Sequence, residues 1–247
     1  MLIAIDCGHG CAPDIGASGN GKQEDKLTLE VGNIVAKLLA SRRHTQVMVR
    51  PLTASSVNDS LNRRVREANK RDADLYISIH FNAFSSPTAE GAEVFLNNAN
   101  SPAKVEAARI LDNLCEMGFR RRGVKYASFA VLRNTHMPAI LIECCFLTNR
   151  LDMQRFDASK VALAIVDGIL GDKKIISENA ILTVGIATLL KPTTQQSNEI
   201  NPASLTKIEP GKYQCELIAE EEGHYLIKYK DREYFIYSGH CSISVNA

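Results

Sequence analysis

The chain opens on a short apolar run, Ile3-Ala4-Ile5, that breaks at Asp6-Cys7-Gly8-His9-Gly10. Leu75-Tyr76-Ile77-Ser78-Ile79-His80 and Ala139-Ile140-Leu141-Ile142-Glu143 have the same shape. Apolar runs of this length, bounded by breaks, predict buried strands. Between them the spacing turns helical. Glu24 to Ser41 puts Val31, Ile34, Val35, Leu38 and Leu39 on one stripe, with acidic residues in its first turn. A second helix is predicted from about Asn58 to Arg71, where Ser56 and Asp59 have capping-box spacing. A third runs from Pro102 to Met117 with Val105, Ala108, Ile110, Leu111 and Leu114 inward, and Ser159 to Leu170 closes the series. Thr45 to Val49, Glu90 to Leu96 and Phe129 to Leu132 are the remaining strand candidates. Alternating strands and helices predict an α/β fold, a twisted, mixed and mainly parallel sheet flanked by helices.

The pattern changes near Gly171. Asp172-Lys173-Lys174 is charged, and no helical period follows. Gln195-Gln196-Ser197-Asn198 and Asn201-Pro202 are turn-like. Tyr213 to Ile218, Tyr225 to Tyr229 and Tyr234 to Tyr237 are short strands separated by Glu-Gly and Asp-Arg turns, which predicts a small all-β barrel. The domain plan is therefore 1–172 for the α/β part, 173–180 for a linker and 181–247 for the barrel.

Composition narrows the function classes. At 247 residues the chain suits one large and one small domain, and an apolar fraction of 45% supports a core. A formal charge of +1 gives no case for nucleic acid, and no apolar run approaches a membrane span. From Ile175 onward nine acidic residues face six basic ones, so the positive surplus lies on the first part. The start has neither a basic region nor a cleavage site, so no signal peptide is expected. The seven cysteines lack paired spacing and read as reduced thiols rather than a disulfide framework or a zinc knuckle.

Three strands that each end in a metal-binding or proton-moving group suggest one shared site. A catalytic zinc typically has three protein ligands and an open position. His9, Glu24 and His80 offer a two-histidine, one-carboxylate set and leave Glu143 as a base. Each residue alone has a plainer reading. A histidine at a strand end is commonly structural, and Glu24 could be a solvated helix-start residue. Glu143 is harder to set aside, because a charge between Ile142 and Cys144 on a buried strand is costly unless paired or liganded.

Asp6-x-Gly8-His9-Gly10, Gly16-Ala17-x-Gly19 and Glu24 resemble the opening block of the zinc-dependent N-acetylmuramoyl-L-alanine amidases of the Amidase_3 family. Leu61-x-x-Arg64-Val65-x-x-Ala68-Asn69 and the stretch Ala73-Asp74-Leu75 to His80-x-Asn82-Ala83 resemble its middle block. Pro138 to Glu143 with Phe146-Leu147-Thr148-Asn149 resembles its last. The resemblance implies one Zn2+ per catalytic domain, held by His9, Glu24 and His80, with Glu143 as the catalytic glutamate. It implies cleavage of the amide between N-acetylmuramic acid and the L-alanine of the peptide stem. Arg64 and Asn82 match family positions and are candidates for substrate contact; Arg64 could instead be structural. Cys7, Cys11 and Cys145 depart from the family's usual small residues and read as small buried hydrophobes.

The tail is similar to a bacterial SH3-like wall-targeting domain at Leu189-Leu190-Lys191-Pro192, Ile208 to Tyr213 and Gly223-His224-Tyr225. Tyr225, Tyr229 and Tyr234, with Phe235 and Tyr237, are candidates for a wall-binding aromatic groove, of which alternation sends about half to the core. His224 and His240 read as structural. The expected partner is peptidoglycan, without nucleic acid or membrane insertion. The expected setting is an endolysin held in the host cytoplasm until release to the bacterial wall. The alternatives are an exported or periplasmic wall-remodelling amidase, a catalytically silent wall-binding protein, and a cysteine peptidase using Cys144 or Cys145.

Overall fold

The computed structural model describes residues 1–171, 178–193, 197–221, 224–230 and 232–245. The chain divides into two compact units, Met1–Gly171 and Asp172–Ala247.

In the first unit β1 (Leu2–Cys7) runs into a loop with a two-residue ladder, β2 (Ser18–Gly19) and β3 (Lys22–Gln23), and then into α1 (Glu24–Ser41) and β4 (Thr45–Met48). There follow α2 (Val57–Lys70), β5 (Leu75–Asn82), β6 (Ala92–Leu96), α3 (Lys104–Glu116), β7 (Arg121–Tyr126) and α4 (Ala130–Arg133). The unit closes with β8 (Ala139–Phe146), α5 (Arg150–Arg155) and α6 (Ala158–Leu170). The sheet order is β4-β1-β5-β8-β6-β7. The first four strands are parallel; β6 is antiparallel to β8, and β7 is parallel to β6.

Side-chain alternation divides these strands between two cores. Ile3, Ile5, Ile77, Ile79, Ile140 and Ile142 share one buried cluster with residues of α1, α3 and α6. Ala4, Tyr76 and Leu141 pack on the other face with Val65 and Ala68 of α2 and Val131 and Leu132 of α4. The same alternation turns Asp6, His80 and Glu143 toward the α2 and α4 side. His80 and Glu143 are register partners on neighbouring strands. Beyond them the register slips, pairing Asn82 with Phe146, and the extra residue lets the successive Cys144 and Cys145 both be buried.

Helix α1 starts at Glu24, as the periodicity predicts. Ser56 caps α2 by accepting the Asp59 amide at 3.1 Å, while the Asp59 carboxylate accepts the Ser55 amide at 2.9 Å. Several expectations are corrected. Phe129 to Leu132 is not a strand: Phe129 precedes the short helix α4, and a four-residue apolar run carries no period that separates the two. Val105 is 61% exposed, because the buried stripe of α3 runs through Ala107, Ile110, Leu111 and Leu114. Strand β7, an edge strand rich in charge, and helix α5 gave no signal in the sequence.

The second unit is all β. It contains β9 (Glu178–Val184), β10 (Thr188–Leu190), β11 (Thr206–Ile208), β12 (Gly211–Glu221), β13 (His224–Tyr229), β14 (Arg232–Tyr237) and β15 (Cys241–Val245). Five of these form an antiparallel sheet in the order β14-β13-β12-β9-β15, and β10 pairs with β11. Residues 178–180, expected in a linker, belong to β9, whereas 173–177 lie outside the described residues. The Asp172-Lys173-Lys174 run, Gln195-Gln196, Glu222-Gly223 and Asp231 also lie outside them. The tyrosines expected to line an aromatic groove are partly buried. Tyr225 and Tyr229 flank the fully buried Ile227, and Tyr234 is its cross-strand partner; all three pack against the core with part of their surface still exposed. Tyr237, on the other face, is 46% exposed. Among the described residues no helix is long and apolar enough to cross a membrane.

Helix α6 approaches α3 closely at Gly168. A Cβ there would fall 2.7 Å from the Ile110 amide nitrogen and 2.8 Å from its Cα. Gly168→Ala is therefore expected to destabilise the first unit by about 1–3 kcal/mol, despite the better helix propensity of alanine. Urea unfolding followed by circular dichroism checks this; an unchanged or higher midpoint would refute the close approach.

Candidate active site

β1 ends at Cys7, and Gly8 returns one bond to the sheet, its amide donating to the Ile79 carbonyl at 3.0 Å. A Cβ at Gly8 would lie 2.3–2.7 Å from the His80 ring, so only glycine fits beneath that imidazole. His9 follows with a φ of 60°, a left-handed backbone uncommon outside glycine. Its Nδ1 is bonded to Asp14 Oδ1 at 2.5 Å, which leaves Nε2 facing Glu24 Oε1 at 3.4 Å. The same Glu24 oxygen lies 3.0 Å from His80 Nδ1 and accepts the Phe81 amide at 3.1 Å. Glu24 Oε2 accepts the Ala17 amide at 2.9 Å. The two imidazoles meet edge to face at 4.9 Å between ring centroids.

His9, Glu24 and His80 thus come together from a loop, a helix start and a strand, with one donor atom from each within 4.8 Å of the others. Their electrostatics are those of a shared site. Burial lowers the His9 pKa, but hydrogen bonds to Asp14 and Glu24 outweigh it and lift the value to about 10. Burial also opposes the protonated form of His80, and its bond to Glu24 again wins, raising its pKa. Glu24 is driven the other way: both imidazoles hold its carboxyl far below the usual range in spite of burial. The donor set suits a divalent ion that takes nitrogen and oxygen ligands, and Asp14 stands where it orients His9 through the ring nitrogen facing away from that ion.

Glu143 lies beside this set, across the β5–β8 ladder from His80. Burial lifts its pKa to about 7; His80 opposes the rise, and the Glu24 and Glu93 carboxylates add to it. Its Oε2 is shut from solvent and has no hydrogen-bond partner. A cleft of about 270 Å³ opens here, lined by His9, His80 and Glu143 together with the apolar Leu61, Phe129 and Leu141.

The two other residues marked from the sequence are engaged by the protein itself. Arg64 is 1% exposed and donates to Asp6 at 2.5 Å, to the Cys7 carbonyl at 2.8 Å and to the His9 carbonyl at 2.6 Å. It holds the loop that carries His9. Asn82 donates to Glu93 Oε1 at 2.7 Å, and Glu93 also pairs with Arg122 and Lys125. Burial holds the Cys144 and Cys145 thiols well above their ordinary pKa, which removes the basis for a cysteine nucleophile. Sequence reasoning missed Asp14, Glu93 and Arg50. Arg50 donates to the Cys7 and Gly8 carbonyls at 2.9 and 2.7 Å, and its only signal was a lone cation after a strand.

Fold and site define a class, an α/β unit with a candidate metal centre and an adjacent carboxylate at one sheet edge. The model of the N-acetylmuramoyl-L-alanine amidase family, Amidase_3, matches residues 3–171, and the chain belongs to that family. It is 35% identical over 173 residues to the N-acetylmuramoyl-L-alanine amidase LytC of Bacillus subtilis, which covers 67% of this chain and 34% of that protein. It is 30% identical over 240 residues to an endolysin of Bacillus phage SPP1, covering 94% of this chain and 82% of the endolysin. The chain therefore spans about a third of the first relative and most of the second. Among solved structures, the N-acetylmuramoyl-L-alanine amidase from Clostridium difficile 630 superposes with a TM-score of 0.61 at 32% identity, over 69% of this chain and 95% of that one.

Removing Arg64 tests the support of the site. Arg64→Met leaves Asp6 buried without its counter-charge and is expected to cost about 3–5 kcal/mol. Arg64, together with bonds from Ser78 and Tyr76, holds the Asp6 carboxyl below its usual range against the penalty of burial. The stability this supplies is present above the unfolded pKa of about 3.9 and is lost as pH falls below it. Acid unfolding curves check this: Asp6→Asn should flatten the acid limb relative to wild type, and an unchanged limb would refute the assignment.

Proposed function

We propose that the first unit is a zinc-dependent peptidoglycan amidase that hydrolyses the bond between N-acetylmuramic acid and the L-alanine of the stem peptide. The observation that carries this reading is the convergence of His9, Glu24 and His80 next to a carboxylate of raised pKa, within a chain of the amidase family. A zinc ion held by these three residues would polarise the scissile carbonyl and acidify a water molecule. Glu143 takes the proton from the attacking water and returns it to the leaving amine of L-alanine, a task suited to a carboxyl poised near neutrality. Asp14 fixes the His9 ring, and the apolar lining residues Leu61, Phe129 and Leu141 limit the access of bulk water to the reacting amide.

We assign residues 181–247 to an SH3-like wall-targeting domain, with the all-β sheet as support, so that a weak wall contact raises the local concentration of scissile bonds. The likeness to the SPP1 endolysin, which extends through this region, favours an endolysin that acts on the bacterial wall after release from the host cytoplasm.

Purified peptidoglycan supplies the test. Wild-type protein should release fragments with free N-terminal L-alanine, and Glu143→Gln at equal zinc content should be slower by about 10²–10⁴-fold. Equal activity of the two proteins would show that Glu143 is not the base. Chelation should abolish the release and added zinc should restore it, and His80→Ala should remove one ligand and most of the bound zinc. Full activity without metal would end the zinc reading.

A further inference from the structure

The second unit contains a larger cleft than the first. It measures about 610 Å³ and is lined by Thr188, Lys191, Ser197, His224, Tyr237 and His240, among others. Lys191 is only 6% exposed, so its stem is sunk in the protein while its head reaches the cleft. Its backbone is pinned on both sides by Phe235, whose carbonyl accepts the Lys191 amide at 2.9 Å and whose amide donates to the Lys191 carbonyl at 2.7 Å. The Lys191 Nζ donates to His224 Nε2 at 3.0 Å. Across the cleft His240 Nδ1 is bonded to Thr188 Oγ1 at 3.0 Å. The ring of Tyr237 stands between the two imidazoles, 5.6 Å from His224 and 5.0 Å from His240.

Among the described residues, the polar lining groups are one ammonium, two imidazoles, two hydroxyls and a half-exposed phenol, converging from β10, β13, β14 and the turns beside them. A compact ammonium with rotatable hydroxyls suits a tetrahedral anion; a planar carboxylate is met best by the fork of an arginine. The Tyr237 ring offers an apolar face to whatever carbon skeleton carries the anion. We propose that this cleft is a phosphate-binding site, taking a phosphate ester borne on a sugar or polyol, as in an anionic polymer of the wall. His224 and His240 thereby gain a role that their sequence neighbours did not suggest. The inference names what the second unit grips and so rests on its reading as a wall-targeting domain; it does not depend on the amidase chemistry.

Two measurements on the full-length, metal-chelated protein test it. Histidine-labelled protein is titrated with inorganic phosphate and with glycerol 3-phosphate while the imidazole nitrogen signals are followed by NMR. His224 and His240 should shift together and saturate, and the exposed His136 of the first unit should stay still. Sedimentation with purified sacculi, before and after hydrofluoric acid strips phosphodiester-linked polymer, tells polymer-borne phosphate from a free phosphate ester. Retention should fall about tenfold on stripping, and by a similar factor in Lys191→Met and in the less buried His240→Gln. Unfolding curves establish that each variant is folded, and His240→Gln alone decides the matter if Lys191→Met is not. Silence of both imidazoles under phosphate overturns the site, even if sacculi are still bound. Phosphate binding without sacculus binding keeps the site and assigns it to a soluble phosphate ester, which refutes the wall-polymer source. Retention that survives stripping yet falls in the variants shows that another wall group fills the cleft and overturns the phosphate assignment.

Discussion

Buried charge is expensive, and the sheet edge of the first unit is organised around the way one such charge is met. Asp6 sits inside the fold, where one oxygen takes Arg64 and the other accepts the hydroxyls of Tyr76 and Ser78 at 2.8 and 2.7 Å. An isolated carboxylate there would cost several kcal/mol, so β1, β5 and α2 are tied to a single arrangement. Arg64 then extends the lock to the loop. Having met Asp6, its guanidinium satisfies the Cys7 and His9 carbonyls just where the backbone leaves the ladder. The left-handed turn at His9 persists because its surroundings leave it no alternative.

Two glutamates at the same edge are tuned in opposite directions. Glu24 lies among imidazoles and backbone amides, and its charged form is favoured. Glu143 lies on the inner strand β8, where burial and nearby like charge outweigh the pull of His80, and its neutral form gains. Such a separation assigns different duties to chemically similar groups: one is held as a permanent anion, the other can exchange a proton. The network of Glu93 with Asn82, Arg122 and Lys125 keeps a second carboxylate charged nearby and so adds to the pressure on Glu143.

Much of this was legible in the sequence, and the parts that were not share a physical cause. The three apolar runs at Ile3, Leu75 and Ala139 announced themselves because inner strands are apolar on both faces. The stripe from Val31 to Leu39 did so because α1 lies flat on a core. His9, Glu24, His80 and Glu143 were legible from where those elements stop. Asp14 was not, since a loop residue has no period to betray it. Arg64 and Asn82 were visible as polar residues on ordered elements, but the direction in which their donors are spent is a tertiary fact. The packing of the tail tyrosines was hidden for a related reason: alternation separates two faces without saying which one meets the core. Strand β7 was hidden because an edge strand with charges on it does not look like a strand.

The sheet order also bears on when this chain becomes complete during its own synthesis. Strand β8 comes late in the first unit, yet it lies between β5 and β6. Until residue 146 has left the ribosome, the pair β6–β7 has no neighbour to join, and the half-sheet β4-β1-β5 shows an open flank. The insertion that closes this gap is also what brings Glu143 beside His80. Nascent chains and truncated products short of that strand hold all three donor residues but neither the glutamate nor a closed sheet.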